Sequence, residues 1–180
     1  MTPNLKLLIH PEADQPRWYA IYVNSRAEKK VEADLTCKGI ETFLPLKKSL
    51  RKWSDRKKWI DMPLIPGYCF VKIVLKINSL EVLQTNHVVG FVRFEGKPAV
   101  IRERQIVFLK RMLKQSDYAW EITHEKFVPG QKVEIVAGPF IGLEAELIRV
   151  KGKYRVGVRI EQINNTLIVD IPLEDITAKE

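Results

Sequence analysis

Between Asp61 and Ile73 the chain reads Asp-Met-Pro-Leu-Ile-Pro-Gly-Tyr-Cys-Phe-Val-Lys-Ile. Pro66-Gly67 is a turn signal, and Tyr68 to Ile73 is mostly aromatic or β-branched, the composition that packs on a pleated, half-buried surface. The pattern predicts a buried strand entered through a fixed turn. The most basic part of the sequence lies in front of it. Behind it come a short helix and a second strand, Val88 to Phe94.

The wider composition is that of a packed globular protein. The 180 residues are 46% hydrophobic, enough for one large domain or two small ones. No apolar run approaches the roughly 20 residues that span a bilayer, and Met1 to Lys6 has no signal-peptide core, so a cytoplasmic, non-membrane protein is expected. Two cysteines, Cys37 and Cys69, and the scattered His10, His87 and His124 are too few and too dispersed for a disulfide framework or a zinc cage; buried or inert thiols and no metal are expected. The net charge of +8 is unevenly spread. Residues 1–115 carry 22 Lys and Arg against 11 Asp and Glu, whereas residues 116–180 carry 8 against 11. A basic first part suits polyanions, because phosphate neutralisation releases counterions, and a mildly acidic second part suits a protein partner.

In chain order, residues 1–16 show no sustained periodicity and read as a leader. Trp18 to Val23 is a strand covered on both faces, with Trp18, Ala20 and Tyr22 on one and Tyr19, Ile21 and Val23 on the other. Ser25 and Glu28 have capping-box spacing, opening a helix to about Cys37 that Ala27, Val31 and Leu35 attach to the sheet and Gly39 stops. Lys30 and Asp34 are placed to pair along it. Glu41 to Leu46 is a short strand that Pro45 pushes to an edge. Asn78 and Glu81, with Ser79 as a second cap, predict a short helix whose apolar side is Leu80 and Leu83. His87 reads as a loop residue. Glu95 to Pro98 is a turn, Ala99 to Ile101 an extended return, and Glu103 to Gln115 a helix lined by Ile106, Leu109 and Leu113.

Between Lys47 and Lys58 stand Lys47, Lys48, Arg51, Lys52, Arg56, Lys57 and Lys58 against the single acid Asp55, with Trp53 and Trp59 interleaved. One reading is a solvated hairpin with its tryptophans packed underneath. The other is a basic finger on nucleic acid, with cations on phosphates and an indole against a base.

Residues 116–126 lose periodicity and read as a linker. Beyond it Val128-Pro129-Gly130 is a turn. Four short apolar segments follow, Val133–Ala137, Glu144–Val150, Tyr154–Ile160 and Thr166–Ile171, which imply a small β-barrel. Lys151-Gly152-Lys153 forms the turn before the third, where Tyr154, Val156, Val158 and Ile160 alternate with polar residues and glycine.

These phrases, taken in order, resemble the NusG family of transcription elongation factors over about residues 17 to 177. The resemblance is carried by Trp18-Tyr19-Ala20-Ile21-Tyr22, Pro66-Gly67-Tyr68-Cys69-Phe70-Val71 and Gly90-Phe91-Val92-Arg93-Phe94. In the second half, Pro129-Gly130-Gln131-Lys132-Val133-Glu134-Ile135 leading to Gly138-Pro139-Phe140-Ile141-Gly142 looks like a KOW motif, with Ala145 where glycine is common. Phe91 to Phe94 followed by Pro98-Ala99-Val100-Ile101 is more similar to the specialised RfaH-like branch.

The resemblance implies an α+β protein: a 1–16 leader, an NGN-type α/β sandwich at 17–115, a 116–126 linker and an SH3-like KOW barrel at 127–180. It implies a monomeric elongation or antitermination factor that binds the RNA polymerase clamp helices through a pocket of Tyr22, Ile65, Pro66, Gly67 and Tyr68, with Phe91 beside it, and the gate loop through Asn78 and Ser79. It directs the Lys47–Lys58 hairpin at upstream DNA and places Arg26, Lys29 and Lys30 near the non-template strand, where a solvated helix face is the alternative. The KOW domain would meet a small-subunit ribosomal protein or Rho, and a stable barrel is expected of it rather than a helical hairpin. A ribosome- or RNA-binding KOW module is the competing class. No phosphate loop, dinucleotide fingerprint or Ser/Cys-His site is apparent, so no catalytic residue or cofactor is assigned.

Overall fold

The computed structural model describes residues 15–52, 57–115, 119–123, 130–150 and 153–179. Trp53, Asp55, Arg56, His124, Val128-Pro129, Lys151-Gly152 and the leader up to residue 14, all read above from the sequence, lie outside them.

The first half is built around β1 (Arg17–Val23), which pairs antiparallel on one side with β5 (Tyr68–Ile73). On the other side it pairs with β6 (Val88–Phe91) and then β9 (Val100–Ile101). β2 (Glu41–Phe43) adds to the far side of β5 and so ends the sheet; Pro45 lies beyond it, its carbonyl accepting the Leu64 N–H at 2.7 Å. β3 (Leu46–Lys52) and β4 (Lys57–Pro63) form a separate two-stranded ribbon in register from Leu46–Pro63 to Lys52–Lys57. The expected long strand from Val88 stops at Phe91. Val92 instead donates its N–H to Ala20, and β7 (Arg93–Phe94) turns back on β8 (Lys97–Pro98).

Period-two alternation in β1 sorts the core. Tyr19, Ile21 and Val23 pack with Val31 and Leu35 of α1 (Glu28–Cys37) and Val82 of α2 (Leu75–Leu83). Trp18 and Ala20, with Phe70 of β5, pack under Ile106, Leu109 and Met112 of α3 (Glu103–Lys114). Helices thus cover both faces, as expected. Three local readings are corrected. Ser25 and Glu28 form no capping box: α1 starts from Ala27 without a side-chain cap, because the Glu28 carboxylate is buried and used elsewhere. α2 starts three residues before Asn78, from Val74, so Asn78 and Ser79 lie inside it. Its buried residue is Val82, while Leu80 and Leu83 face solvent. Of the two thiols only Cys69 is buried; Cys37 is exposed.

The second half is a six-stranded antiparallel sheet in the order β10-β14-β13-β12-β11-β15. The strands are β10 (Trp120–Thr123), β11 (Gln131–Ile135), β12 (Glu144–Val150), β13 (Lys153–Ile160), β14 (Asn165–Val169) and β15 (Ile176–Ala178). β10 occupies residues read as linker, and pairs along β14 from Trp120–Val169 to Thr123–Thr166. Val156, Val158 and Ile160 point into the core as the alternation predicts, whereas Tyr154 at the strand's start is exposed. Gly157 faces the other way, and a Cβ there would stand 2.7 Å from Ile148 Cδ1; Ile148 and Ile168 use that space as a small second cluster.

α3 is buried from two sides. Beyond its contacts with the sheet, Phe108 stacks on Phe140 of the second half at 5.3 Å between centroids and 28°. Gln105 is satisfied at both ends: its Oε1 accepts the Arg102 N–H at 2.9 Å and its Nε2 donates to Arg159 O at 2.6 Å. Arg111 Nη1 donates to Ile141 O at 2.9 Å. Arg104 and Lys179 both pair with Glu144, which holds that carboxyl below its usual range. A cleft of about 500 Å³ beside these pairs is lined by charges of both signs. Removing the ring of fully buried Phe140 in Phe140→Ala should cost about 3 kcal/mol or more. It should also split a joint calorimetric transition into two; one transition at an unchanged midpoint would mean that the ring pair does not couple the halves.

Candidate functional site

The turn that opened the sequence reading is held from two directions. Gly67 has φ +80°, a left-handed conformation that L side chains avoid, although a Cβ would meet nothing closer than Val23 O at 3.9 Å. Backbone strain, not space, requires glycine there. Gly67 O accepts the Val23 N–H and the Gly67 N–H donates to Glu28 Oε1, both at 2.9 Å. The neighbouring loop is tied in where Asn24 N–H meets His87 O at 2.9 Å, and His87 Nε2 lies 3.4 Å from Lys30 Nζ.

This clamp sets out Tyr22 and Tyr68 as direct cross-strand partners, with rings 5.0 Å apart and tilted by 48°. Tyr22 is 41% exposed and Tyr68 half-buried. Burial first, and then its hydrogen bond to Tyr22 and the nearness of that second phenol, together push the Tyr68 phenol up to about 12. Pro66 is exposed beside them. Ile65 does not line the surface: at 2% exposure it supports the pair from beneath. Phe91 is on the opposite face, across from Ile21 and edge-on to Tyr19 at 6.0 Å. Asn78 and Ser79 are half-buried within α2.

Arg26, Lys29 and Lys30 are exposed around the start of α1. Lys47, Lys48, Lys57 and Lys58 are exposed on the β3–β4 ribbon, and Arg51 and Lys52 belong to its paired backbone. Trp59 does not pack underneath the ribbon; it is 64% exposed. In the second half Gly138 to Phe140 is a 3-10 turn, with Pro139 in its first turn and positive φ at Gly138 and Gly142. These turns deliver Phe140 to α3. Sequence reasoning missed Glu28 and Gln105. The Ser25–Glu28 spacing drew attention to a local cap, and nothing local marks a partner 39 residues away. Among the described residues no three His, Cys, Asp or Glu side chains are arranged to hold a metal, and no helix is long and apolar enough to cross a membrane.

The family model for NusG, described as transcription termination factor nusG, matches residues 16–110, the sheet and its three helices apart from the end of α3. The chain belongs to the NusG family. Among curated NusG relatives, the transcription termination/antitermination protein NusG of Halalkalibacterium halodurans is 27% identical over 163 residues, covering 81% of this chain and 90% of the relative. The Lactococcus lactis protein of the same description is 24% identical over 172 residues, covering 88% and 91%. A solved structure of Thermotoga maritima NusG, reported for its domain interaction, aligns at 23% identity with a TM-score of 0.48, over 93% of this chain and 99% of that one. NusG family members are transcription factors.

Two measurements check the clamp. Glu28→Ala leaves the part-buried Gly67 N–H without its acceptor, a loss of about 1 kcal/mol, and should speed hydrogen exchange at Gly67; Glu28→Gln, which keeps an acceptor oxygen, should restore most protection. Equal exchange in both variants would remove Glu28 from that role. Tyr22→Phe should lower the Tyr68 titration from about 12 toward its ordinary 10, read by ultraviolet absorbance of the phenolate. Because the folded chain holds this proton to higher pH than the unfolded one, its stability is full below about pH 10 and declines toward pH 12. The variant should shrink that decline.

Proposed function

We propose that this chain is a transcription elongation and antitermination factor that holds RNA polymerase through its first half and suppresses pausing or termination. The carrying observation is the family match across residues 16–110, the part of the chain that sets out the Tyr22–Tyr68 pair. A clamped, partly exposed aromatic pair is suited to a protein contact: it offers large apolar area at low entropic cost, and interface hot spots of this kind are worth on the order of 2 kcal/mol or more. In this reading Tyr22, Pro66, Gly67 and Tyr68 meet the clamp helices, with Ile65 as support. Asn78 and Ser79 are the gate-loop candidates, reached from within α2.

The basic ribbon faces upstream DNA, and Arg26, Lys29 and Lys30 face the non-template strand. The KOW half engages a ribosomal small-subunit protein or Rho. The RfaH-like phrases Phe91 to Phe94 and Pro98 to Ile101 favour action on a subset of long operons, which transcript profiling of a deletion strain tests: loss of distal transcripts in a few operons is expected, and a genome-wide shift would indicate the general role instead.

Tyr68→Ala should lower polymerase affinity about 30-fold or more, the equivalent of about 2 kcal/mol, and abolish pause suppression in vitro while circular dichroism shows a folded protein. Unchanged pausing would remove the pocket assignment. Strong RNA binding with no retention on polymerase would favour the RNA-binding module.

A further inference from the structure

Charge does not account for the outer face of the β3–β4 ribbon. Side chains alternate along a strand, so Lys48 and Leu50 share a face with Lys57, Trp59 and Asp61 across the register, and all five are exposed. Leu50 and Trp59 are direct partners at its centre, 48% and 64% exposed. The opposite face carries half-buried Ser49, Ile60 and Met62 together with exposed Lys47 and Lys58. Ile60 and Met62 already give the ribbon an apolar contact on that face. A cross-strand pair stabilises such a ribbon by about 0.2–1 kcal/mol, and an aliphatic pair supplies that as well; this one leaves most of an indole in water.

We propose that Leu50 and Trp59 form a stacking site for an unpaired nucleic-acid strand, with the indole on a base and Lys48 and Lys57 on flanking phosphates. The two lysines lie two register pairs to either side of the stacking pair, about 6.7 Å along the strands, so cations bracket an aromatic surface. That is the arrangement by which single strands are held without reading sequence. A duplex keeps its base faces stacked inside, so the indole finds a partner only where strands are separated. Asp61, across from Lys48, is the only acid on this face among the described residues. The inference rests on the reading of the ribbon as a nucleic-acid contact and goes beyond it by naming the strand state recognised and the side chain that recognises it.

Binding of the full chain to fluorescent oligothymidylate, the matching oligouridylate and a DNA duplex, across a salt series, tests this. Trp59→Leu keeps an apolar cross-strand pair but has no π face. It should weaken binding to the single strands about tenfold or more while leaving duplex binding and the salt slope unchanged, and Trp59→Phe should recover part of the loss. A Lys48→Gln, Lys57→Gln double variant should weaken all three probes and reduce the single-strand slope of log affinity against log salt by about 0.7 per lost contact. Equal losses on duplex and single strands in Trp59→Leu, or no loss, would overturn the stacking site while leaving the basic ribbon standing. Unchanged binding in the lysine variant would overturn the ribbon as a nucleic-acid contact, and the stacking site with it. A preference between the two single strands identifies DNA or RNA as the source.

Discussion

Strand β1 is hydrogen-bonded along both edges and covered on both faces, and most of the molecule is positioned by that double constraint. Its pairing with β5 fixes where Tyr68 stands relative to Tyr22; its pairing with β6 and β9 brings the chain back under α3. Trp18 marks how tightly the arrangement is packed. Its indole is almost fully buried, its Nε1 has no hydrogen-bond partner among the described residues, and Lys110 and Lys72 hold their ammonium groups 5.0 and 5.8 Å from the ring centroid. The long aliphatic stems of those lysines cover the ring while their charges stay near water.

α3 extends the constraint into the second half. Most helices bury one stripe, but this one buries Ile106, Leu109 and Met112 toward the sheet and Phe108 toward Phe140. Its polar residues also reach across, through Gln105 and Arg111 to backbone carbonyls and through Arg104 to a carboxylate shared with Lys179. The exposed ion pairs add little by themselves. The buried glutamine matters more, because losing either partner would strand a polar group in an apolar boundary.

Periodic features were legible in the sequence because their physics is local. Alternation in Trp18 to Val23 assigned both faces of β1, the apolar spacing of Ile106, Leu109 and Leu113 placed α3, and Val156, Val158 and Ile160 found the core side of β13. The failures share a cause. Glu28 looked like a cap because capping is a three-residue pattern, while its actual acceptor role is defined by a turn 39 residues on. Asn78 looked like a helix start, but tertiary contact lets α2 begin earlier from Val74 without a cap. Phe91 seemed to belong with Tyr22 until the register set it opposite Ile21, one residue from the face it needed. Of the candidate site, the turn and Tyr68 were legible; the side on which each neighbour would emerge was a property of pairing.

The two thiols differ sharply in chemistry as a result of this layering. Cys69, on β5 between the helices and the strands, is wholly buried, and desolvation pushes its thiol up to about 12, with Glu32 and Glu28 adding in the same sense. Cys37 stands exposed at the end of α1. Since only thiolate reacts at useful rates, a maleimide or spin label added to the native fold would enter at Cys37 alone, giving the unmutated chain one spectroscopic address on the helical side of its sheet.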